Sequence, residues 1–219
     1  DKENLKQINL CLLFGEESGL PVFSVEYNGS LNDVKTFHTI IAQLDILKNS
    51  KYKLVLDKGF YSTNNIDYMI SKVISFLIAV PVKSNYVKSI IEENYNLEDD
   101  FNSSFIIGDD IMFCTTNYIK LDNKKLYGHL FLNLNTKNSN KSIIIRKANQ
   151  MLEEATMNQN KYINDSAYKN VLSFKKSFKS LTGYYVKIKS NLLTNMGHES
   201  YLFLLSDVIS DPKIALTIY

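Results

Sequence analysis

Tryptophan is absent from the chain, and arginine occurs once, as Arg146, beside 24 lysines. Cysteine is limited to Cys11 and Cys114, which lie far apart with no Cys-x-x-Cys pair. Both sit among apolar residues and read as buried thiols, which favours a reducing, cytoplasmic setting over a secreted one. No apolar run reaches the roughly 18 residues that a membrane span requires, and no basic-then-apolar signal segment leads the sequence. The phosphate loop GxxxxGK[ST], the dinucleotide fingerprint GxGxxG, the zinc motif HExxH and the nucleophile elbow GxSxG are all missing. These absences remove the common nucleotide-binding, zinc-protease and serine-hydrolase classes. The three histidines, His38, His129 and His198, are dispersed and read as structural.

What is present is a strong division of charge. The net charge is +2, but residues 1–119 hold 10 basic and 16 acidic groups, and residues 120–189 hold 14 basic and 4 acidic ones. A basic block of that density attracts a polyanion or forms a solvated lysine-rich surface. The abundance of Asn, Lys, Ile and Tyr is general, so lysine alone does not specify nucleic acid. The chain opens on Asp1 and ends on PKIALTIY, an apolar tail without a stop signal; both ends read as cuts through a longer protein.

Apolar spacing supplies the outline. Residues 8–14 (INLCLLF) suit a buried strand, and residues 21–27 (PVFSVEY) alternate as a strand with one wetter side. Their short link predicts an antiparallel hairpin. Asn32 or Asp33 caps a helix whose stripe is Val34, Phe37, Ile40, Ile41, Leu44 and Leu47. A short strand covers 52–56, and a helix capped by Ser62 or Thr63 covers 63–73. FLIAV, 76–80, reads as a fully buried strand closed by Pro81. The order β-β-α-β-α-β gives an α/β sheet covered by helices, with a right-handed parallel crossover between its last two strands. Beyond it, residues 92–110 read as an acidic loop, with Asp109 and Asp110 in a hairpin turn. Strand-like runs fill 105–135, where Tyr127, His129 and Phe131 share a face. A long helix begins at about 140, with Ile144, Ala148, Met151, Leu152 and Ala155 spaced for packing. Residues 184–188 form a further strand, and 201–209 are ambiguous between strand and helix.

The stretch LVLDKGFYS places Asp57 where a buried parallel strand ends. Ligands bind at the carboxyl ends of strands in open α/β sheets, and a carboxylate there suits a metal ligand, a nucleotide contact or a general base. A capping or turn aspartate is the plainer alternative. Gly59 is expected to permit a tight turn after it.

Three blocks of sequence carry a resemblance. The first is LKQINLCLLFGEESGLPVFSVEYNGSLNDVKTF, residues 5–37, with Gly19-Leu20-Pro21 and Gly29-Ser30-Leu31-Asn32-Asp33 at its turns. The second is LVLDKGFYSTNNIDYM, residues 54–69. The third is LYGHLFLNLN with the helix after it, then LTGYYVKIKS, residues 181–190. Together they resemble the DDE transposases of bacterial insertion sequences, in the IS4-type group and its IS1634-like branch. Ser30 stands where that family usually has Asn, and Thr182 where it usually has Asp.

The resemblance implies a ribonuclease-H-like α/β fold: a mixed sheet, flanking helices and a β-rich insertion that residues 105–135 would supply. It implies residues 1–90 as the N-terminal part of the core, 91–140 as acidic connector and insertion, and 141–219 as a basic helical segment with a return strand. The last part stops or diverges before the helix of the catalytic Glu. It implies DNA, the ends of an insertion sequence, as partner, with a homodimer as a compatible assembly and no membrane. It also implies Mg2+ or Mn2+ held by three carboxylates, because two ions about 3.5–4 Å apart activate the attacking oxygen and stabilise the leaving one.

Of those carboxylates, Asp57 takes the second place, as catalytic residue and metal ligand. The first belongs to a strand preceding residue 5, a role not given to Asp1. The third belongs to a late helix with the pattern Tyr-x2-Arg-x3-Glu-x6-Lys, which neither Glu153, Glu154 nor Glu199 satisfies. Lys58 either touches a phosphate or faces solvent. Lys175, Lys176 and Lys179, with Phe174 and Phe178, either line a DNA channel or form the wet face of an amphipathic helix. The expected function is an incomplete transposase catalytic domain, inactive alone. A non-catalytic nucleic-acid-binding domain on the same fold is the alternative.

Overall fold

A computed structural model gives the fold, and it describes residues 8–15, 18–28, 33–44, 52–121, 124–176, 183–190 and 198–219. The expected hairpin is present: β1 (Ile8–Phe14) pairs antiparallel with β2 (Pro21–Asn28), Leu12 facing Ser24. It forms a two-stranded sheet of its own. Helix α1 (Asp33–Leu44) follows and buries Phe37, Ile40 and Ile41, as its spacing predicts. Asn32, Leu47, Gly29 and Ser30 lie outside the described residues, as do Asp1 and Thr182.

Strand β3 (Lys53–Leu56), helix α2 (Thr63–Ser71) and strand β4 (Ser75–Val80) make the expected crossover, with β3 and β4 parallel. Ser62 is the cap of α2: its hydroxyl oxygen accepts from Asn65 N at 3.1 Å. Asn65 is buried in α2 and donates through Nδ2 to the carbonyls of Phe60 at 2.8 Å and Val34 at 3.4 Å. Phe76, Leu77 and Ile78 of β4 have no exposed surface, the mark of a strand covered on both faces.

Helix α3 (Asn85–Glu93) comes next and buries Val87, Ile90 and Ile91. The segment expected as a loop thus begins in a helix. It continues in two single 3-10 turns, Leu97–Asp99 and Phe101–Ser103, before β5 (Ser104–Ile107). Gly108, at φ 57°, and Asp109 turn β5 back onto β6 (Asp110–Leu121), where Ile107 faces Asp110. The two aspartates are hairpin residues, as expected. Strand β7 (Lys124–Asn133) leads into α4 (Leu134–Met157), which starts earlier than its apolar spacing suggests because Asn133 Oδ1 accepts from Thr136 N at 2.9 Å.

Two short helices, α5 (Gln159–Tyr162) and α6 (Ser166–Val171), precede the hairpin of β8 (Leu172–Lys176) and β9 (Tyr184–Ile188). The segment weighed as an amphipathic helix is therefore a helix end and a strand. Aromatic Phe174 favours extended backbone in the strand. The ambiguous run near the end is a strand, β10 (Tyr201–Ser206), and PKIALTIY is a helix, α7 (Pro212–Ile218). Asp211 caps α7, its Oδ1 accepting from Lys213 N at 2.7 Å, and Pro212 fits the first turn.

Six strands form one sheet in the order β3-β4-β10-β7-β6-β5. It is mixed, because β3 and β4 are parallel while β4–β10 and β5–β6 are antiparallel. With its flanking helices this is the mixed α/β architecture of a ribonuclease-H-like fold. The strands expected at 105–135 are β5, β6 and β7, and they belong to this same sheet. Among the described strands β3 lies at the sheet's edge, not at its centre, and Val55 is accordingly 41% exposed.

The chain comprises two compact units. The first holds Asp1–Val87, Thr116–His129 and Phe203–Tyr219; the second holds Lys88–Thr115 and Leu130–Leu202. In the first, the end of β10 is tied to β4: Ser206 Oγ donates to the carbonyl of Phe76 at 2.7 Å, and Asp207 Oδ1 accepts from Phe76 N at 2.8 Å. A Cβ on Gly128 of β7 would lie 2.6 Å from the ring of buried Phe203, so glycine is required by that close approach. In the second unit, Met151 and Ala155 of α4 and Leu172 of β8 form a core that Phe174, Val186 and Ile188 complete. Gln159 extends the β8–β9 pairing, donating to the carbonyl of Tyr184 at 2.8 Å and accepting from its N–H at 2.7 Å.

Candidate active site

Leu54 of β3 is buried and pairs with Phe76, which fixes the strand and delivers Asp57 at its carboxyl end. Asp57 has extended backbone, φ −69° and ψ 160°, and a single 3-10 turn, Lys58–Phe60, follows it. This is the tight turn expected after Asp57, and Gly59 lies inside it without a positive φ. The Asp57 side chain makes no cap bond to the turn. It is exposed and accepts instead from the Tyr219 hydroxyl, 3.1 Å from Oδ1. Burial, then the Asp57 charge and this hydrogen bond, push the Tyr219 hydroxyl up to about 12. Lys58 is exposed beside it, and burial raises the Tyr61 hydroxyl above its ordinary value.

Tyr219 is the residue that sequence spacing did not reveal. It lies 162 positions from Asp57 and was read as part of an apolar tail. Two anchors place its helix. Asp211 caps α7, and His129 holds the preceding segment through the carbonyl of Ile209, 2.9 Å from Nε2. A carbonyl only accepts, so Nε2 carries the proton and Nδ1 accepts from Thr116 Oγ1 at 2.9 Å. His129 is fully buried, which lowers its pKa; the Ile209 hydrogen bond and the charge of Asp211 oppose that shift. Its structural role is as expected. His38 stacks on Tyr68 with ring centroids 4.1 Å apart.

Asp57 supplies a single carboxylate. Among the described residues, no three His, Cys, Asp or Glu side chains gather in a way that could hold a metal ion. Asp57 and its neighbours therefore do not fit a two-ion site by themselves. Glu153, Glu154 and Glu199 belong to the other unit, where Glu154 is engaged by the Tyr168 hydroxyl and held below its ordinary pKa by that bond and by Gln150.

Lys175 and Lys176 are exposed at the end of β8, and Lys179 and Phe178 lie outside the described residues. Phe174 packs into the core against α4 and so does not line a channel with the lysines. Alternation puts Lys175 and Ser173 on the outer face of the hairpin, opposite Tyr185 and Lys187 respectively. Tyr185 is 65% exposed, and Lys187 is exposed as well. Neither residue stood out in the sequence, because their shared face appears only once the register is known.

Residues 1–160 match the family model described as the transposase DDE domain. The chain belongs to the DDE transposase family. No curated protein and no solved structure was found to match it. The family assignment carries a transposase role, DNA as partner and a general use of divalent metal ions. No helix among the described residues is long and apolar enough to cross a membrane. In this transposase, β8, β9, β10 and α7 all follow the matched segment.

Proposed function

We infer that this chain supplies the ribonuclease-H-like part of an insertion-sequence transposase of the IS4 type. The intact protein would cut DNA at the ends of its element and join them to a target, with Mg2+ or Mn2+. In this reading Asp57 is one carboxylate of the metal site, and the chain alone is expected to be inactive because no Glu in its sequence satisfies the pattern Tyr-x2-Arg-x3-Glu-x6-Lys. A cytoplasmic setting and a homodimer go with the same role.

The position of Asp57 carries the reading: a carboxylate at the end of a parallel strand, within the matched segment, whose side chain does not cap the turn after it. Tyr219 adds support. It lies on a late helix against Asp57, which suits the Tyr of the pattern Tyr-x2-Arg-x3-Glu-x6-Lys. DNA contacts are assigned to Lys58, Lys175, Lys176 and Lys179, and the outer face of the β8–β9 hairpin adds Lys187 and Tyr185.

Titration with Mn2+, read as paramagnetic broadening of backbone amides near residue 57, tests the metal role. Asp57-dependent broadening that disappears in Asp57→Ala is the expected result. Broadening that survives the substitution removes Asp57 from the metal site and leaves a non-catalytic nucleic-acid-binding domain as the better account; none in either protein leaves an incomplete transposase copy with one carboxylate.

A further inference from the structure

The second unit carries two exposed apolar patches of opposite charge. The first is the tip of the β5–β6 hairpin. Ile106 and Ile111 face each other across its strands, and both are exposed, Ile106 by 73%. Asp109 and Asp110 lie between them at the turn, within a stretch, residues 89–119, that contains no basic residue. The second patch is on α4. The helix turns Ala148, Met151 and Ala155 inward and leaves Ile143 61% exposed. Arg146 and Lys147 are exposed three and four positions further on, which puts them beside Ile143 on one side of the helix. No acidic residue occurs in α4 before Glu153.

We propose that the β5–β6 tip of one copy docks on the Ile143 side of α4 in a second copy, and the reverse, across a two-fold axis. The tip's aspartates repel phosphates, so it suits neither DNA nor an anionic lipid surface. It suits a basic protein surface with an apolar centre, and α4 offers that chemistry on the same chain. The two patches are neighbours: Asn135, in the first turn of α4, donates through Nδ2 to the carbonyl of Asp109 at 2.9 Å. Ile143 lies about 12 Å further along the helix axis. They do not cover each other within one copy, because both isoleucines are exposed. A two-fold axis repeats every contact with the copies exchanged, so neighbouring patches of opposite charge meet twice in one interface. Burial of the isoleucines supplies attraction, and the charges fix which surfaces meet. The inference gives an interface to the homodimer proposed above and rests on that reading.

Sedimentation equilibrium of the chain, without DNA or metal, tests it. The native chain should form a reversible dimer that weakens as salt rises. Asp109→Lys with Asp110→Lys should weaken the dimer at least about tenfold, and so should Arg146→Glu with Lys147→Glu. Mixed together, the two variants should form a heterodimer of about native affinity, because both contacts then pair opposite charges again. Asp109, Arg146 and Lys147 are exposed and Asp110 is half-buried beside them, so neither variant empties a core position.

A native dimer that neither double substitution weakens overturns this interface and leaves the homodimer standing, whereas a monomer at every concentration overturns both. Two weakened variants that do not associate when mixed overturn the pairing of these two patches. A native dimer indifferent to salt overturns the charge pairing without recourse to any variant. Unchanged association with weakened duplex binding in the Arg146→Glu, Lys147→Glu chain assigns the α4 patch to DNA and overturns the proposal.

Discussion

The Tyr219 hydroxyl donates to Asp57 Oδ1 across 162 positions of sequence, joining α7 to the end of β3 within one unit of the fold. The bond lies at the surface, so its contribution is at the low end for a charged acceptor, about 0.5–1.5 kcal/mol. Tyr219→Phe should lower the stability of the chain by that amount in urea unfolding, with an unchanged m-value. A changed m-value would mean that α7 is lost as a whole rather than loosened.

Val73 ends α2 in the left-handed region, φ 57°, where a β-branched residue is strained. The hydrogen bonds Val73 N to the carbonyl of Ile70 and Ile74 N to that of Met69 form a Schellman closure, whose left-handed position is normally glycine. Val73 is 82% exposed and gains little from packing. Val73→Gly should therefore stabilise the chain by about 1 kcal/mol, the relief of left-handed strain less the added freedom of the unfolded chain. A denaturation midpoint that does not rise would show that Val73 contributes something besides the turn.

Much of this architecture is legible in local pattern. The β1–β2 hairpin, α1, the Ser62 cap, the β3–α2–β4 crossover and the position of Asp57 all follow from periodicity and capping residues near one another in sequence. The failures share a cause. α3 was missed because its charged residues mask a short stripe of Val87, Ile90 and Ile91. β8 was left open between a DNA channel and an amphipathic helix because its lysines and aromatics also fit a helix face, and only pairing with β9 shows the strand. The edge position of β3 and the arrival of Tyr219 at Asp57 are long-range facts with no local signature.

Buried His129 gives the chain a pH dependence of predictable sign. Its folded-state pKa is lowered by burial, so the unfolded chain binds the proton more readily. Stability is then complete above the ordinary histidine value of about 6.5 and is lost as pH falls from there towards the lowered folded value. Protonation also removes Nδ1 as the acceptor for Thr116. His129→Gln should be less stable than the native chain at pH 7.5, and the loss of stability between pH 7 and 5 should be smaller in it. Equal slopes in the two proteins would place the titrating group elsewhere.

The outer face of the β8–β9 hairpin makes the DNA assignment quantitative. Lys175 and Lys187 lie on that face, Lys176 is exposed at its end, and neither strand carries an acidic residue to offset them. Each lysine that neutralises a phosphate releases condensed counterions, so it steepens the fall of affinity with salt by about 0.9 in the log–log slope on duplex DNA. Replacing all three by Gln should flatten that slope by about 2–3, while a triple replacement on the acidic half, at Lys72, Lys83 and Lys88, should leave it unchanged. The measurement is fluorescence anisotropy of a labelled duplex across a salt series. The hairpin packs on α4 through Leu172, Phe174, Val186 and Ile188, away from the substituted side chains, so folding should be retained. A slope that responds equally to both sets would mean that the basic block acts through net charge alone, without a defined DNA-binding face.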